Sequence, residues 1–178
     1  MKINLLPPLS ELQRLFVIDS TSPSGLRWKI TISKRTKANM IAGTQRNKDD
    51  YWRVRWTKNG KVLDYMAHRI IYALQNNCDP GKYVVDHVAN DKDNTKQLRL
   101  ATPLQNSRNR NGRKNTTSKY KGVSLIKRTG RWRATIRINK CFKHIGVYDT
   151  QEEAALAYNK VAFESFGEFA RLNQLTSL

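Results

Sequence analysis

Side chains alternate strictly between two kinds along Arg131–Ile138, the stretch RWRATIRI. Successive side chains of a β-strand point to opposite faces, so this stretch is predicted to be a strand with one apolar and one basic face. The apolar face comprises Trp132, Ala134, Ile136 and Ile138, and the other comprises Arg131, Arg133, Thr135 and Arg137. The apolar face must be buried against a second layer of structure, while the basic face stays exposed.

The neighbouring segments supply the other strands and that second layer. YKGVSLI and KCFKHIGVYD are predicted as flanking strands, joined to the central one by tight turns at Lys127–Gly130 and Ile138–Lys140. A helix follows, with Thr150 as N-cap and Glu153 three residues later, which is the spacing of a capping box. Its apolar stripe comprises Ala154, Ala157, Tyr158 and Val161. We therefore expect a helix on one face of a three-stranded sheet and bare basic side chains on the other.

The charge of the whole chain points in the same direction. Its 33 Lys and Arg residues against 14 Asp and Glu residues give a formal net charge of +19. Between Asp93 and Asp149 there is no acidic residue but there are 15 Lys and Arg residues. Such a charge destabilises a compact monomer by self-repulsion unless an acidic partner offsets it, and nucleic acid or an anionic membrane are the usual partners.

A membrane partner is disfavoured by the pattern of apolar residues. No apolar run approaches the roughly 18 residues that a spanning helix needs, and no basic amphipathic helix stands out. The N-terminal stretch MKINLLPPLSEL is too short and too interrupted by proline for a signal-peptide core. Cys78 and Cys141 have no CxxC spacing, so we expect small buried or half-buried thiols in a reducing cytoplasm. Nucleic acid is the expected partner.

The N-terminal half alternates between strand and helix patterns. A short helix with Ser10 as N-cap is predicted first, followed by strands at Gly25–Ile32 and Tyr51–Trp56. The turn Lys58–Gly60 leads into a third strand, KVLDYM, and Ala67–Asn77 has helical periodicity.

A chemically distinctive stretch comes next. The strand VVDH ends in Asp86-His87 and is followed by a polar loop, the strand LRLAT and a helix opened by Thr102-Pro103. Cutting a phosphodiester requires an activated water and a metal ion, and a neutral His serves as general base near pH 7. Asp and Asn oxygens suit magnesium or manganese. Adjacent residues on a strand point to opposite faces, so Asp86 and His87 can approach a phosphate from different sides.

VVDHVANDKDNTKQLRLATPLQNSRN resembles the ββα-metal motif of phage-type HNH homing endonucleases, and AHRIIYA resembles the helix that precedes it in that family. The segment from Ser118 to Asn173 looks like the three-strand-plus-helix DNA-binding domain of plant ethylene-response (APETALA-type) transcription factors. The two resemblances together span roughly Ala67 to Asn173. They imply an α+β fold, with an N-terminal β-rich segment leading into the ββα-metal core and a three-stranded antiparallel sheet packed on one helix. The expected domains are residues 1–112 (core about 82–110), a linker at 113–118 and residues 119–174.

The resemblance also assigns roles to residues of the first domain. His87 would be the general base, and Asp86 and Asn106 would hold one Mg²⁺ or Mn²⁺ ion. Gln97 stands where the family has its central Asn, which braces the loop and helps to orient the His. The loop after His87 is about two residues shorter than usual, and Gln97 would take over this catalytic-site role through the shorter loop, helped by Asn90 or Asn94. His68 is expected to be structural or to support the site indirectly. The plain alternatives are a strand-end ion pair at Asp86-His87 and a surface role for Asn106.

In the second domain the resemblance places the sheet in the major groove of DNA. The expected DNA contacts there are Lys121, Arg131, Arg133, Thr135, Arg137, Lys143 and His144. Between the domains, Arg108, Arg110, Arg113 and Lys114 would follow the DNA backbone. Ser124, Thr135 and His144 stand where plant proteins carry Arg, Glu or Trp, so the plant recognition sequence does not transfer.

The sequence thus predicts a metal-dependent DNA endonuclease, and the resemblance implies a homing or intron-associated enzyme of phage or bacterial origin. It would act on double-stranded DNA in the cytoplasm of a bacterial host, as a monomer or a dimer, and one active site per chain predicts nicking. The alternative is a sequence-specific DNA-binding protein with a degenerate HNH core, which the replacement of Asn by Gln97 keeps open. An RNA-binding or maturase-like factor is disfavoured because no ribonucleoprotein signature or exposed aromatic pair is present.

Overall fold

The computed structural model describes residues 5–45, 50–89, 91–94, 96–112 and 116–175. The chain is mixed α and β, with four α-helices and several small antiparallel sheets in these ranges. It divides into two compact units, Met1–Pro103 and Leu104–Leu178. Asn90, Arg113 and Lys114, for which roles were predicted, and part of the predicted linker lie outside the described residues.

The first unit combines two helices with three small sheets. In chain order it contains α1 (Leu9–Leu15), β1 (Phe16–Ile18), β2 (Leu26–Trp28), β3 (Thr44–Gln45), β4 (Trp52–Lys58), β5 (Lys61–Met66), α2 (Ala67–Asn76), β6 (Val84–His87) and β7 (Leu98–Ala101). The sheets are β1-β2, β3-β4-β5 and β6-β7, all antiparallel. The predicted hairpin turn between β4 and β5 is confirmed, since Asn59 and Gly60 have φ of 48° and 74°, the positive values that a tight hairpin turn requires.

Alternating side chains explain how the first unit builds its core. Val54 and Trp56 on β4 are buried with Phe16 and Trp28, while Ile70 and Ile71 of α2 are fully buried in the same cluster. Trp56 lies edge-on to both other rings, with centroids 5.5 Å from Phe16 and 6.4 Å from Trp28. Such aromatic contacts add stabilisation beyond the burial of area.

Two sequence predictions in this unit are wrong. The N-cap of α1 is Pro8 rather than Ser10, because the carbonyl of Pro8 accepts the first helical hydrogen bonds from Glu11 and Leu12. The strand predicted at Gly25–Ile32 ends at Trp28. The backbone N–H of Trp28 donates to the carbonyl of Met40, and the carbonyl of Trp28 accepts from Asn39 N, because the following loop folds back over the strand end.

The second unit is a sheet covered by a helix. Its elements are α3 (Pro103–Arg108), which begins at the boundary of the units, β8 (Val123–Ile126), β9 (Arg131–Ile138), β10 (Cys141–Tyr148) and α4 (Gln151–Phe166), followed by a 3₁₀ turn at Gly167–Phe169. The strand order is β10-β9-β8, so the alternating strand is central as predicted. Thr150 accepts from Glu153 N and the Glu153 side chain accepts from Thr150 N, which confirms the capping box.

Close packing joins α4 to the sheet. Ala134 and Ile136 of β9 are buried, as are Ala154, Tyr158 and Ala162 of α4. Gly122 has φ of +78°, and a Cβ at that position would lie 2.2 Å from the Tyr158 ring. Only glycine fits there, because the ring occupies the space and the backbone is left-handed.

The expectation of buried or half-buried thiols is wrong, since Cys78 and Cys141 are both exposed. Cys78 follows Asn77, a left-handed residue that ends α2, and Cys141 opens the edge strand β10 directly after a turn. Both positions are at element ends, where little chain packs over the side chain. None of the helices within the described ranges has the length and apolar character required to cross a membrane.

Candidate functional site

The β6-β7 hairpin presents the Asp-His pair of the first unit. Asp86 pairs across the strands with Arg99, and His87 pairs with Leu98. The ladder continues for one more hydrogen bond, from Val88 N to the carbonyl of Gln97. Asp86 and His87 are each only 5% exposed, so both polar side chains need partners within the fold.

His87 is held by a chain of hydrogen bonds that starts in its own loop. Its Nε2 lies 2.9 Å from Oδ1 of Asn94. The Nδ2 of Asn94 donates in turn to the carbonyl of Ser24, at 3.0 Å. Asn94 is 3% exposed and Ser24 is fully buried, so these contacts are shielded from water.

These two hydrogen bonds determine which nitrogen of His87 carries the proton. Because the amide nitrogen of Asn94 faces a carbonyl, its oxygen must face His87, and an oxygen accepts. The Nε2 of His87 is therefore the donor. In the neutral imidazole the other nitrogen, Nδ1, is then an acceptor, which is the form that a general base requires.

A second histidine packs against the first. The rings of His68 and His87 are 5.0 Å apart at 67°, and Tyr51 lies 5.5 Å from the His68 ring and 6.1 Å from the His87 ring. Burial, followed by electrostatic interaction with His87 and with the charge of Arg69, lowers the pKa of His68 to about 3. His68 is thus neutral near pH 7. Its buried Nδ1 has no hydrogen-bond partner among the described residues.

Asp86 is bound by an arginine from the neighbouring strand. Both Nε and Nη2 of Arg99 lie 3.1 Å from Oδ2 of Asp86, and the Arg99 side chain is 12% exposed. Within the described ranges no group of three or more His, Cys, Asp or Glu side chains could hold a metal ion. The carboxylate oxygens of Asp86 are hard donors, of the type that fits magnesium or manganese.

The remaining predicted residues of this site have different positions. Gln97 is exposed, and its side chain makes no hydrogen bond with any described residue. Gln97 contributes to the hairpin through its backbone carbonyl, which accepts from Val88 N. Asn106 lies half-buried on α3, in the second unit. Sequence reasoning did not find Ser24, Tyr51 or Arg99. The register of Arg99 opposite Asp86 could have been read from the hairpin, whereas Ser24 and Tyr51 come from distant parts of the chain.

The second unit presents a basic face on the side of its sheet away from α4. Arg133 and Arg137 are exposed on β9, with Thr135 half-buried between them. Cross-strand pairing aligns Arg137 with Phe142 and Thr135 with His144. The ring of Phe142 is 77% exposed, and the guanidinium of Arg137 lies 5.5 Å from its centroid. Arg131 is on the same face but pairs with Asp149 at 2.8 Å.

Other predicted DNA contacts are not on this face. Lys143 pairs with Ile136, whose side chain is buried against α4, so Lys143 points to the opposite side of the sheet. The Nζ of Lys121 donates to the carbonyls of Arg108 and Arg110, at 2.6 and 2.7 Å. Burial, and then the charge of Arg171, lowers the pKa of Lys121 to about 8. The amine of Lys121 thus fastens the end of α3 to the sheet.

Arg108 and Arg110, predicted to follow the DNA backbone, both belong to the second unit. The guanidinium of Arg108 lies 4.4 Å from the centroid of the Phe166 ring, which is a cation–π contact. Arg110 is exposed.

Comparison with known proteins gives relatives of two kinds. Protein 3.8 of Escherichia phage T7 is 32% identical over 106 residues, which are 58% of this chain and 87% of the phage protein. The chain belongs to the family of T7 protein 3.8. A second relative of this chain is an uncharacterized HNH endonuclease of Acanthamoeba polyphaga mimivirus, which is 40% identical over 126 residues. That match covers 66% of this chain and 65% of the mimivirus protein.

Plant proteins match a shorter part of this member of the T7 protein 3.8 family. An ethylene-responsive transcription factor of Arabidopsis thaliana is 45% identical over 60 residues, 32% of this chain and 14% of the plant protein. The chain therefore spans less than two thirds of the mimivirus protein and a small part of the plant one. No protein-family model matches the chain. Both parts of the resemblance deduced from the motifs, HNH and ethylene-response, recur in the names of relatives.

Proposed function

We propose that this protein is a metal-dependent DNA endonuclease of the HNH type, with Nδ1 of His87 as the general base. The observation that carries the proposal is the buried chain from His87 through Asn94 to the Ser24 carbonyl. That hydrogen-bond chain makes Nε2 the N–H donor, so the lone pair of the neutral ring is on Nδ1, the nitrogen that a general base would use. The mimivirus relative, named as an HNH endonuclease, supports the reaction class.

The acidic partner of the site is Asp86. Its carboxylate is the proposed protein ligand of one Mg²⁺ or Mn²⁺ ion. When bound, such an ion neutralises negative charge on the phosphate and on the leaving oxygen. Arg99 fixes the Asp86 carboxylate through Nε and Nη2, so the oxygen donors are oriented before the ion binds. His68 and Tyr51 enclose the His87 ring and limit its rotation.

The second unit would place the enzyme on its substrate. Its basic face joins Arg133 and Arg137 with the exposed ring of Phe142 and with His144. Guanidinium groups bind phosphates and base edges of duplex DNA, so this face is the proposed docking surface. The plant relatives, which are transcription factors, support duplex DNA as the partner. Hydrolysis at one site would leave a 5′-phosphate and a 3′-hydroxyl in one strand, which is a nick.

Supercoiled plasmid provides the direct test, because one nick converts it to the relaxed form. Wild type and His87→Ala would be compared with Mg²⁺, with Mn²⁺ and with a chelator. We expect metal-dependent nicking that falls by about 10²- to 10⁴-fold in His87→Ala, the usual contribution of a general base. Retained plasmid binding by His87→Ala would show that the variant is folded. Nicking that persists unchanged in His87→Ala would contradict the proposal.

A DNA-binding protein without nuclease activity is the second candidate. The observation that favours it is the ion pair between Asp86 and Arg99, which already neutralises the carboxylate that a metal ion would need. On this alternative, wild type binds duplex DNA but produces no nicks with either metal ion. The plasmid assay therefore separates the two candidates.

A further inference from the structure

A cleft on the first unit gathers three arginines from two parts of the chain. It is bounded by the loop after β2, by β3 and by β4, is open to solvent, and has a volume of about 180 Å³. Arg35 comes from the loop, whereas Arg53 and Arg55 come from β4. Arg53 and Arg55 are two residues apart on a strand, so they share a face, opposite the face on which Val54 and Trp56 enter the core.

One carboxylate orients two of these arginines. The Nε of Arg53 donates to Oδ1 of Asp64 at 2.9 Å, and the Nε of Arg55 donates to Oδ2 at 2.7 Å. Burial alone would raise the pKa of Asp64, but hydrogen bonds from Arg55 and Arg53 outweigh it and lower the pKa. The carboxylate is therefore ionised near pH 7. It offsets one of the three positive charges and fixes the direction of both guanidinium groups.

Arg35 adds a charge that has no such partner. It is exposed, and its side chain makes no ion pair or hydrogen bond with any described residue. The three guanidinium groups and Asp64 therefore leave two positive charges in excess at the cleft. Positive charges in excess at one place repel one another, and a bound anion offsets that repulsion.

The other side chains of the cleft identify the type of anion. Thr36 and Thr44 provide hydroxyl groups, and Met40 and Ile41, 48% and 42% exposed, provide apolar contacts. Guanidinium forks match the oxygens of a phosphate, hydroxyls add hydrogen bonds, and apolar side chains suit a sugar. Gly43 has φ of +115°, and a Cβ there would lie 3.0 Å from the carbonyl of Arg53, so its backbone closely approaches β4.

We infer that the cleft of Arg35, Arg53 and Arg55 binds a phosphate group, and that this phosphate belongs to the backbone of duplex DNA. The assignment to DNA rests on the proposed function, while phosphate binding itself does not. The cleft would provide a contact to the DNA backbone from the first unit, in addition to the basic face of the second.

A matched pair of variants tests the DNA contact. Arg35→Gln removes a charge of the cleft, and Arg14→Gln removes one from the exposed side of α1, outside it. Both would be made in the His87→Ala protein, and binding to a labelled duplex would be measured with chelator at several salt concentrations. This arrangement makes the result independent of whether the protein cuts DNA.

We expect Arg35→Gln to weaken binding several-fold. The negative slope of log K against log salt should become less steep by about 1, the value for one lost phosphate contact. Arg14→Gln should leave the slope unchanged. Equal effects of the two variants would overturn the inference, because they would reflect only the general positive field.

A second measurement distinguishes DNA from free phosphate. Inorganic phosphate would be titrated into the His87→Ala protein while the amide resonance of Gly43 is followed by NMR, with that of Gly60 as reference. Gly43 lines the cleft, and Gly60 lies in the β4-β5 turn. We expect the Gly43 amide to shift, and to shift less in Arg35→Gln. A Gly43 shift without any effect of Arg35→Gln on DNA binding would overturn the assignment to DNA, and no shift would overturn the phosphate site.

Discussion

The Nε2 of His87 lies 2.9 Å from Oδ1 of Asn94, and both side chains are buried. The two residues are seven positions apart, at the beginning and near the end of one loop. Asn94 is itself anchored to the carbonyl of Ser24, from a distant part of the same unit. The loop thus fixes both the orientation and the tautomer of His87.

Replacing Asn94 should affect the reaction through His87. Asn94→Ala removes the acceptor of the Nε2 proton, and we expect nicking to fall by about 10- to 100-fold, the usual cost of losing a supporting hydrogen bond of this kind. Asn94→Asp keeps the acceptor but places a negative charge beside the imidazole and favours its protonated form. The acid limb of the pH–rate profile should then move to higher pH. An unchanged profile in Asn94→Asp would argue against this role.

Gln97 provides the matched comparison for Asn94. Its side chain is exposed, and its backbone carbonyl, which any residue provides, bonds to Val88 N. We therefore expect Gln97→Asn to change the nicking rate by less than about threefold, as is usual for surface substitutions. A large increase in the rate of Gln97→Asn, measured in the same plasmid assay, would instead show that Gln97 attenuates the site.

The ion pair of Asp86 and Arg99 should be important for stability. Arg99→Met leaves a buried carboxylate without its cation, and we expect the free energy of unfolding to fall by about 3–5 kcal/mol. Urea denaturation of the single variants and of Asp86→Asn with Arg99→Met measures the coupling. The double variant should lose less than the sum of the two single losses. Additive losses would show that the pair is not coupled.

His68 should make stability depend on pH. Its pKa is about 3 in the folded protein, against an ordinary value of 6.5, so only the unfolded chain binds its proton between these values. Stability is therefore highest above pH 6.5 and falls as pH decreases toward 3, by about 1.4 kcal/mol per pH unit from this group. His68→Phe keeps a ring but removes the titration. Compared by urea denaturation from pH 7 to pH 5, wild type should lose more stability than His68→Phe, and parallel losses would contradict the prediction.

Arg133 should be a DNA contact of the second unit. It is exposed on the face of β9 away from α4, and it forms no ion pair with the residues that the structure describes. Arg133→Gln should make the negative slope of log K against log salt, measured for duplex binding, less steep by about 1. Lys160→Gln removes an equal charge from the exposed side of α4 and should leave the slope unchanged. Equal slopes for the two variants would contradict a specific role for this face.

The sequence by itself determined the features that depend on local periodicity. The alternation along β9 predicted which side chains are buried against α4, and Thr150 with Glu153 predicted where α4 begins. The hairpin turn at Asn59–Gly60 and the start of α3 at Pro103 were predicted from local turn and helix-start residues. Backbone geometry repeats every two residues in a strand and about every 3.6 in a helix, so near neighbours suffice to determine which face a residue occupies.

Only the tertiary structure decided which polar groups meet. Asn94 bonds to the Ser24 carbonyl 70 positions away, and His68 of α2 packs against His87 of β6. Strand register, rather than charge, turned Lys143 away from the arginines of β9, and the carbonyls of Arg108 and Arg110 captured the amine of Lys121. Such contacts depend on how separate elements pack, and a buried polar group takes the partner that packing brings within reach. The periodicity of a single element carries no information about that partner.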